Sequence, residues 1–295
     1  MTPSTDRLTI VDIVTLQDGP VIARFAPGAG MIGISLSDDG TELLGQRRGL
    51  DTYISAGKTM GLPLLYPWAN RLSVNNFEPD AAGVRTDPNG LPIHGLLAAH
   101  PDWEVVSQTT QTLVAQFDFA AHPELLTSFP YPHLLEIAVT LSGRTLTLRT
   151  SVTATGDTAV PLCFGFHPYL QIPGVPRGQW LVETPALRHL PVDERGLPTG
   201  ESTTQPATCE MLGDKAFDDG YDQVADGAVF AVSAGERRIE VQFLEGYPAA
   251  QIFAPPAEDV ICFEPMAATT DALTRGDYRT AAPGSPAVAS FSITV

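Results

Sequence analysis

Apolar and polar residues alternate with a period of two along several stretches of the chain. In "HLLEIAVTLSGRTLTLRTSVTATG" the apolar set is Leu135, Ile137, Val139 and Leu141. A Ser-Gly-Arg turn follows, and Leu146, Leu148 and Val152 resume the pattern. Successive side chains of a strand point to opposite sides, so this segment predicts a hairpin with one buried face on each arm. The runs "MIGISL", "TLVAQFDF", "VFAVSAGERRIEVQF" and "AAQIFAP" have the same character, each bounded by Gly, Asp or Pro. Helical spacing of apolar residues is confined to about one turn, around "HPELLTS". Many short strands between turn signals predict an all-β sandwich or barrel. No repeat and no linker divides the chain, so a single β domain over residues 1–295 is expected.

Composition narrows the partners. Seventeen basic residues against thirty-four acidic ones give a net charge of −17. Such a surface repels phosphate backbones and anionic lipid, so neither nucleic acid nor membrane is an expected partner. The three cysteines, Cys163, Cys209 and Cys262, are far apart and show no CxxC spacing, which argues against both a zinc site and a disulfide framework. The N-terminal "MTPSTDRLTIVDIVTLQDG" lacks the unbroken apolar core of a signal peptide. No run approaches the ~18 apolar residues of a membrane span. A soluble cytoplasmic protein is expected.

The candidate chemistry sits at strand ends. In "VPLCFGFHPYLQI", residues 160 to 172, a strand over 162–169 puts Leu162, Phe164 and Phe166 on one face and Cys163, Gly165 and His167 on the other. Glycine inside a strand marks close approach of a ligand or a second backbone. Pro168 ends the ladder just past the imidazole. The segment "DVICFEPMAATTDAL" repeats the plan: Ile261 and Phe263 face one way, Val260, Cys262 and Glu264 the other, and Pro265 closes the strand. Ordinary pKa values of ~6.5 for histidine and ~4.3 for glutamate supply an acid and a base near neutral pH. Each contributes roughly 10²–10⁴ in rate when well placed. Either residue alone equally fits a hydrogen-bonded core histidine or a strand-end charge. A third cluster, "GLPLLYPWANRLSVNNF", offers Trp68 as an aromatic plate for a sugar ring, with Asn70 and Arg71 to bond hydroxyls. His94 in "NGLPIHGLL" is either a turn histidine or a second imidazole at the site.

The ordered motifs "PWANRL", "LPIHGLL", "FGFHPYL", "VDERGLPTG" and "CFEPMAATTDAL" resemble those of the aldose 1-epimerases, the galactose mutarotase-like proteins. The likeness runs from about "GAGMIGISLSDDG" to the final strand. It implies a large antiparallel β-sandwich carrying a sugar groove. It also implies interconversion of the α and β anomers of a free hexose such as glucose or galactose, without cofactor or metal. Carried over residue by residue, it makes Glu264 the catalytic base and His167 the acid. Arg71 and His94, with Asn70 beside them, hold hydroxyls or the ring oxygen. In "AFDDGYDQV" it offers Asp218, with Tyr221 three residues on, as the sugar-holding aspartate, and Asp222 as the alternative. A phosphorylated sugar would call for extra basic residues, and the chain has only seventeen, so an unphosphorylated substrate is expected. Three other readings use parts of the pattern: an epimerase for a modified or phosphorylated sugar, a non-catalytic sugar-binding module on the same fold, and a glycoside hydrolase pairing Asp218 with Glu264.

Overall fold

The computed structural model describes residues 11–78 and 80–295. The first ten residues, part of the segment read above for a signal peptide, lie outside the described residues. Two large sheets dominate, of nine and seven strands, with smaller sheets of four and two strands at their margins. Strand pairs in both large sheets are antiparallel. The expected hairpin is there: His133–Ser142 pairs with Thr145–Ala154 around a Gly143-Arg144 turn, and Leu135, Ile137, Val139, Leu141, Leu146, Leu148 and Val152 are all buried. The other alternating runs form Ile32–Asp38, Thr112–Asp118, the hairpin Ala228–Ala234 with Arg237–Glu245, and Ala249–Ala254.

The core lies between the two large sheets. Phe166 of the seven-stranded sheet meets Phe291 of the nine-stranded one, ring centroids 5.1 Å apart, and Phe263 meets Phe230 at 5.6 Å. The outer face of the nine-stranded sheet is polar, as in Glu136 and Arg149. The strand Cys262–Met266 of the other sheet is buried on both faces. Covering loops hide its outward face, so alternation there survives in chemistry and not in exposure.

Three local expectations change. Residues 162–169 are not one strand: Val160–Leu162 pairs with Arg279–Ala281, and Gly165–Phe166 belongs to the seven-stranded sheet. The chain switches sheets at Cys163, which bridges Trp68. Pro265 does not close its strand; it lies inside it, opposite Ala250. The eight-residue helix Gly49–Ala56 has its apolar Leu50, Tyr53 and Ile54 at i, i+3 and i+4, a stripe too short to stand out from the strand pattern. Among the described residues, no helix is long and apolar enough to cross a membrane.

Candidate active site

The strand Cys262–Met266 carries the centre of the site. Its neighbours set which side chains join it, because directly opposed residues share a face. Cys262 opposes Phe253, which opposes Asp218; Glu264 opposes Gln251, which opposes Gly220. Asp218, Gln251, Phe253, Cys262 and Glu264 therefore face outward together, while Ile252, Ile261 and Phe263 join the core. On the other side of the same strand, Gly165 opposes Met266 so closely that a Cβ would collide with the Met266 sulfur and lie 2.7 Å from the Pro265 carbonyl oxygen. The glycine thus marks approach of a backbone. Two residues on, the backbone N–H of His167 donates to the Pro63 carbonyl at 3.1 Å, fixing the imidazole over Glu264.

His167 Nε2 lies 3.2 Å from Glu264 Oε1, and the residues are 6% and 1% exposed. Burial pushes Glu264 well above the ordinary carboxylate range, and Asp218 adds to the rise. Burial pushes His167 well below the ordinary histidine range, assisted by His94 and Arg47. Both shifts disfavour charge. Burial therefore favours the neutral pair, with one proton on the carboxyl side. Tyr169 stacks on the His167 ring at 4.3 Å between centroids, and its hydroxyl is 3.2 Å from Nε2. That hydroxyl also contacts Thr59 Oγ1 at 2.6 Å and accepts from Arg47 Nη1 at 3.0 Å. Arg47 is in turn anchored to Glu258 by two hydrogen bonds of 2.7 and 2.8 Å. His167 Nδ1 and Glu264 Oε2 are buried without a partner among the described residues, so both groups have unused hydrogen-bonding capacity.

The remaining candidates fall into two groups. His94 meets His167 edge to face at 5.9 Å, and its backbone, at φ 63°, is in the left-handed region that strains a non-glycine residue. Burial lowers its pKa to about 3, with Arg71 and Arg85 contributing, so it is a neutral imidazole. His94 and Arg71 line a cleft of about 590 Å³, and Arg71 Nε is held by Asp87 Oδ2 at 2.8 Å. Asp218 accepts from Gln251 Nε2 at 2.8 Å and raises the Glu264 pKa, which places it beside the pair. Asp222 is instead ion-paired to Arg188, whose Nε donates at 2.6 Å. Tyr221 lies on the opposite face of Asp218's strand and joins the core, because an offset of three reverses the side. Asn70 accepts His94's backbone N–H through its own carbonyl at 3.0 Å; the residue borders a small hollow with Gln251 and Met266. Trp68 is no sugar plate: it is 1% exposed and stacked on Phe77 at 5.4 Å.

Sequence reading passed over Tyr169, Arg47, Thr59 and Gln251. Gln251 had a visible signal, a lone amide in the apolar run "AAQIFAP"; Arg47 had none, since its partners are far along the chain. Among the described residues, two groups could hold a metal ion, with ligand atoms all within 4.8 Å: His167, Cys262 and Glu264, and the less buried His100, His122 and Glu124. In the first, burial and the neighbouring Glu264 hold the Cys262 thiol protonated, which opposes ligation.

The two large antiparallel sheets thus carry a buried imidazole–carboxyl pair on the outward side of the seven-stranded one. The sequence profile of aldose 1-epimerase matches residues 12–286, and the chain belongs to that family. Its curated relative YphB, an uncharacterized protein of Escherichia coli (strain K12), is 27% identical over 304 residues, spanning 90% of this chain and 96% of YphB. The crystal structure of a galactose mutarotase-like protein from Clostridium acetobutylicum superposes with a TM-score of 0.79 at 18% identity, covering 96% of this chain and 94% of that one. Slr1438 from Synechocystis sp. PCC 6803 does so at 0.77 and 22% identity, covering 96% and 95%.

Proposed function

We propose that the protein is an aldose 1-epimerase that opens and recloses a pyranose ring, with Glu264 as base and His167 as acid. Glu264 takes the proton of the C1 hydroxyl while His167 delivers one to the ring oxygen, and the C1–O5 bond breaks to give the open-chain aldehyde. Rotation about C1–C2 presents the other face, and the reverse transfers close the ring as the opposite anomer. No atom is gained or lost.

The observation that carries this reading is the buried 3.2 Å contact between His167 and Glu264. The two reacting oxygens are bonded to the same carbon, so acid and base must themselves be near neighbours. The electrostatics agree. Sugar hydroxyls bonding both groups favour the charged form, carboxylate and imidazolium, which is ready to react. Ring opening returns the proton to Glu264 and leaves His167 neutral, the distribution burial favours. His94 meets His167 edge to face and shares its cleft with Arg71, and both favour negative charge at the ring oxygen. Asp218 and Gln251 offer hydrogen bonds to ring hydroxyls.

Polarimetry of freshly dissolved α-aldoses tests the reading. Mutarotation faster than buffer supports it. Release of reducing ends from a glycoside, without faster mutarotation, would replace it with hydrolysis; binding without turnover would replace it with a sugar-binding module.

A further inference from the structure

The cleft in front of His94 is lined by five basic residues, Arg47, Arg48, Lys58, Arg71 and Arg85, and by one acid, Asp87. The chain as a whole has twice as many acids as bases, so this concentration runs against the composition. Two of the five charges are answered within the protein: Arg47 by Glu258 and Arg71 by Asp87. Arg48, Lys58 and Arg85 make no salt bridge among the described residues.

Arg85 is the most telling. Its guanidinium lies against Gly57, where φ is +65° and a Cβ would fall 2.5 Å from Nε. Its Nη2 donates to the Ala98 carbonyl at 3.2 Å. Burial lowers its pKa, and no carboxylate opposes the fall. A partly desolvated cation held in place without a counter-ion is unfavourable until something brings negative charge to it. A guanidinium also presents a planar fork that matches carboxylate and phosphate oxygens. On the same cleft, His94 Nδ1 is buried with no partner among the described residues, a second polar atom with unused hydrogen-bonding capacity.

Resting on the epimerase reading, we propose that this cleft receives an anionic group of the sugar, so that the substrate is an aldose carrying a carboxylate or phosphate at the end remote from C1. C1 faces His167 and Glu264, and the far end of the ring extends past His94 toward Arg85, Lys58 and Arg48. The expectation of an unphosphorylated sugar counted bases over the whole chain, a count that hides their concentration on one wall.

The test compares mutarotation of α-glucose, α-glucuronate and α-glucose 6-phosphate at low ionic strength. At least one anionic sugar should exceed glucose in kcat/KM by tenfold or more, and the better of the two identifies the group. That advantage should shrink as added salt cuts the Debye length from ~30 to ~8 Å. Arg85→Met and Lys58→Met should each lower the anionic-to-neutral ratio several-fold; Lys58 is exposed, so its variant keeps the test open if Arg85→Met fails to fold. Equal efficiency for all three sugars, or a ratio that the foldable variants leave unmoved, overturns this inference and leaves the epimerase reading standing. No acceleration of any of the three overturns both.

Discussion

Replacing Glu264 with Gln separates a catalytic carboxyl from a structural one, because the two roles predict opposite changes in stability. Gln keeps the shape of the side chain and an amide to donate to His167 Nε2, but it cannot accept the proton of a hydroxyl. Loss of a well-placed base lowers kcat/KM by roughly 10²–10⁴, which corresponds to about 3–5 kcal/mol of barrier. Stability should move the other way. The Glu264 pKa is raised in the fold by burial, with the side chain 1% exposed and unscreened by solvent. Above the ordinary carboxylate pKa the unfolded chain has released that proton and the folded chain has not, so stability falls as pH rises toward the folded value. Each unit of that rise removes about 1 kcal/mol, or roughly 2–4 °C in Tm for a chain near this size. The Gln variant escapes this loss. Its Tm should match the wild type near pH 4 and exceed it at pH 8, while mutarotation collapses. Scanning calorimetry at the two pH values, with polarimetry on the same samples, reads both quantities. A variant that is less stable at every pH, or that turns over at the wild-type rate, refutes the reasoning.

Two further outcomes follow from the same geometry. Activity requires one proton on the His167–Glu264 pair. His167 gains a second only below the ordinary histidine range, and Glu264 loses its proton only above the ordinary carboxylate range. The acid limb of the kcat/KM profile should therefore fall well below ~6.5; an acid limb centred near that value contradicts it. Gly165→Ala should destabilise the fold by roughly 1–3 kcal/mol by overpacking, since the added methyl meets the Met266 sulfur and the Pro265 carbonyl. An unchanged denaturation midpoint would show that this strand approach is looser than described.

Much of this was legible in the sequence where the relevant contacts are local. The hairpin of Leu135 and Leu148 is a period-two pattern across a short turn, and one face's burial shows directly in residue type. The shared outward face of Cys262 and Glu264 was legible for the same reason, as was the close approach at Gly165. Contacts between distant segments were not. Nothing near Arg47 announces Glu258, 211 positions away, and nothing in "FHPY" reveals that Tyr169 is clamped between His167 and Arg47. Trp68 was misread because its neighbours look like a surface loop, while stacking on Phe77 draws it into the core. The basic cleft was hidden for a different reason: composition sums charge over the chain, whereas a ligand meets it locally.

The central claim is that His167 and Glu264 act on one sugar as a single proton-transfer unit, and a double-mutant cycle in mutarotation tests it most directly. Groups that work as a unit give strongly non-additive losses. His167→Asn and Glu264→Gln should each remove most turnover, and the double variant should be little slower than the worse single one. Losses that multiply, with the double variant slower by the product of the two single effects, would mean that the residues act independently and would contradict the account.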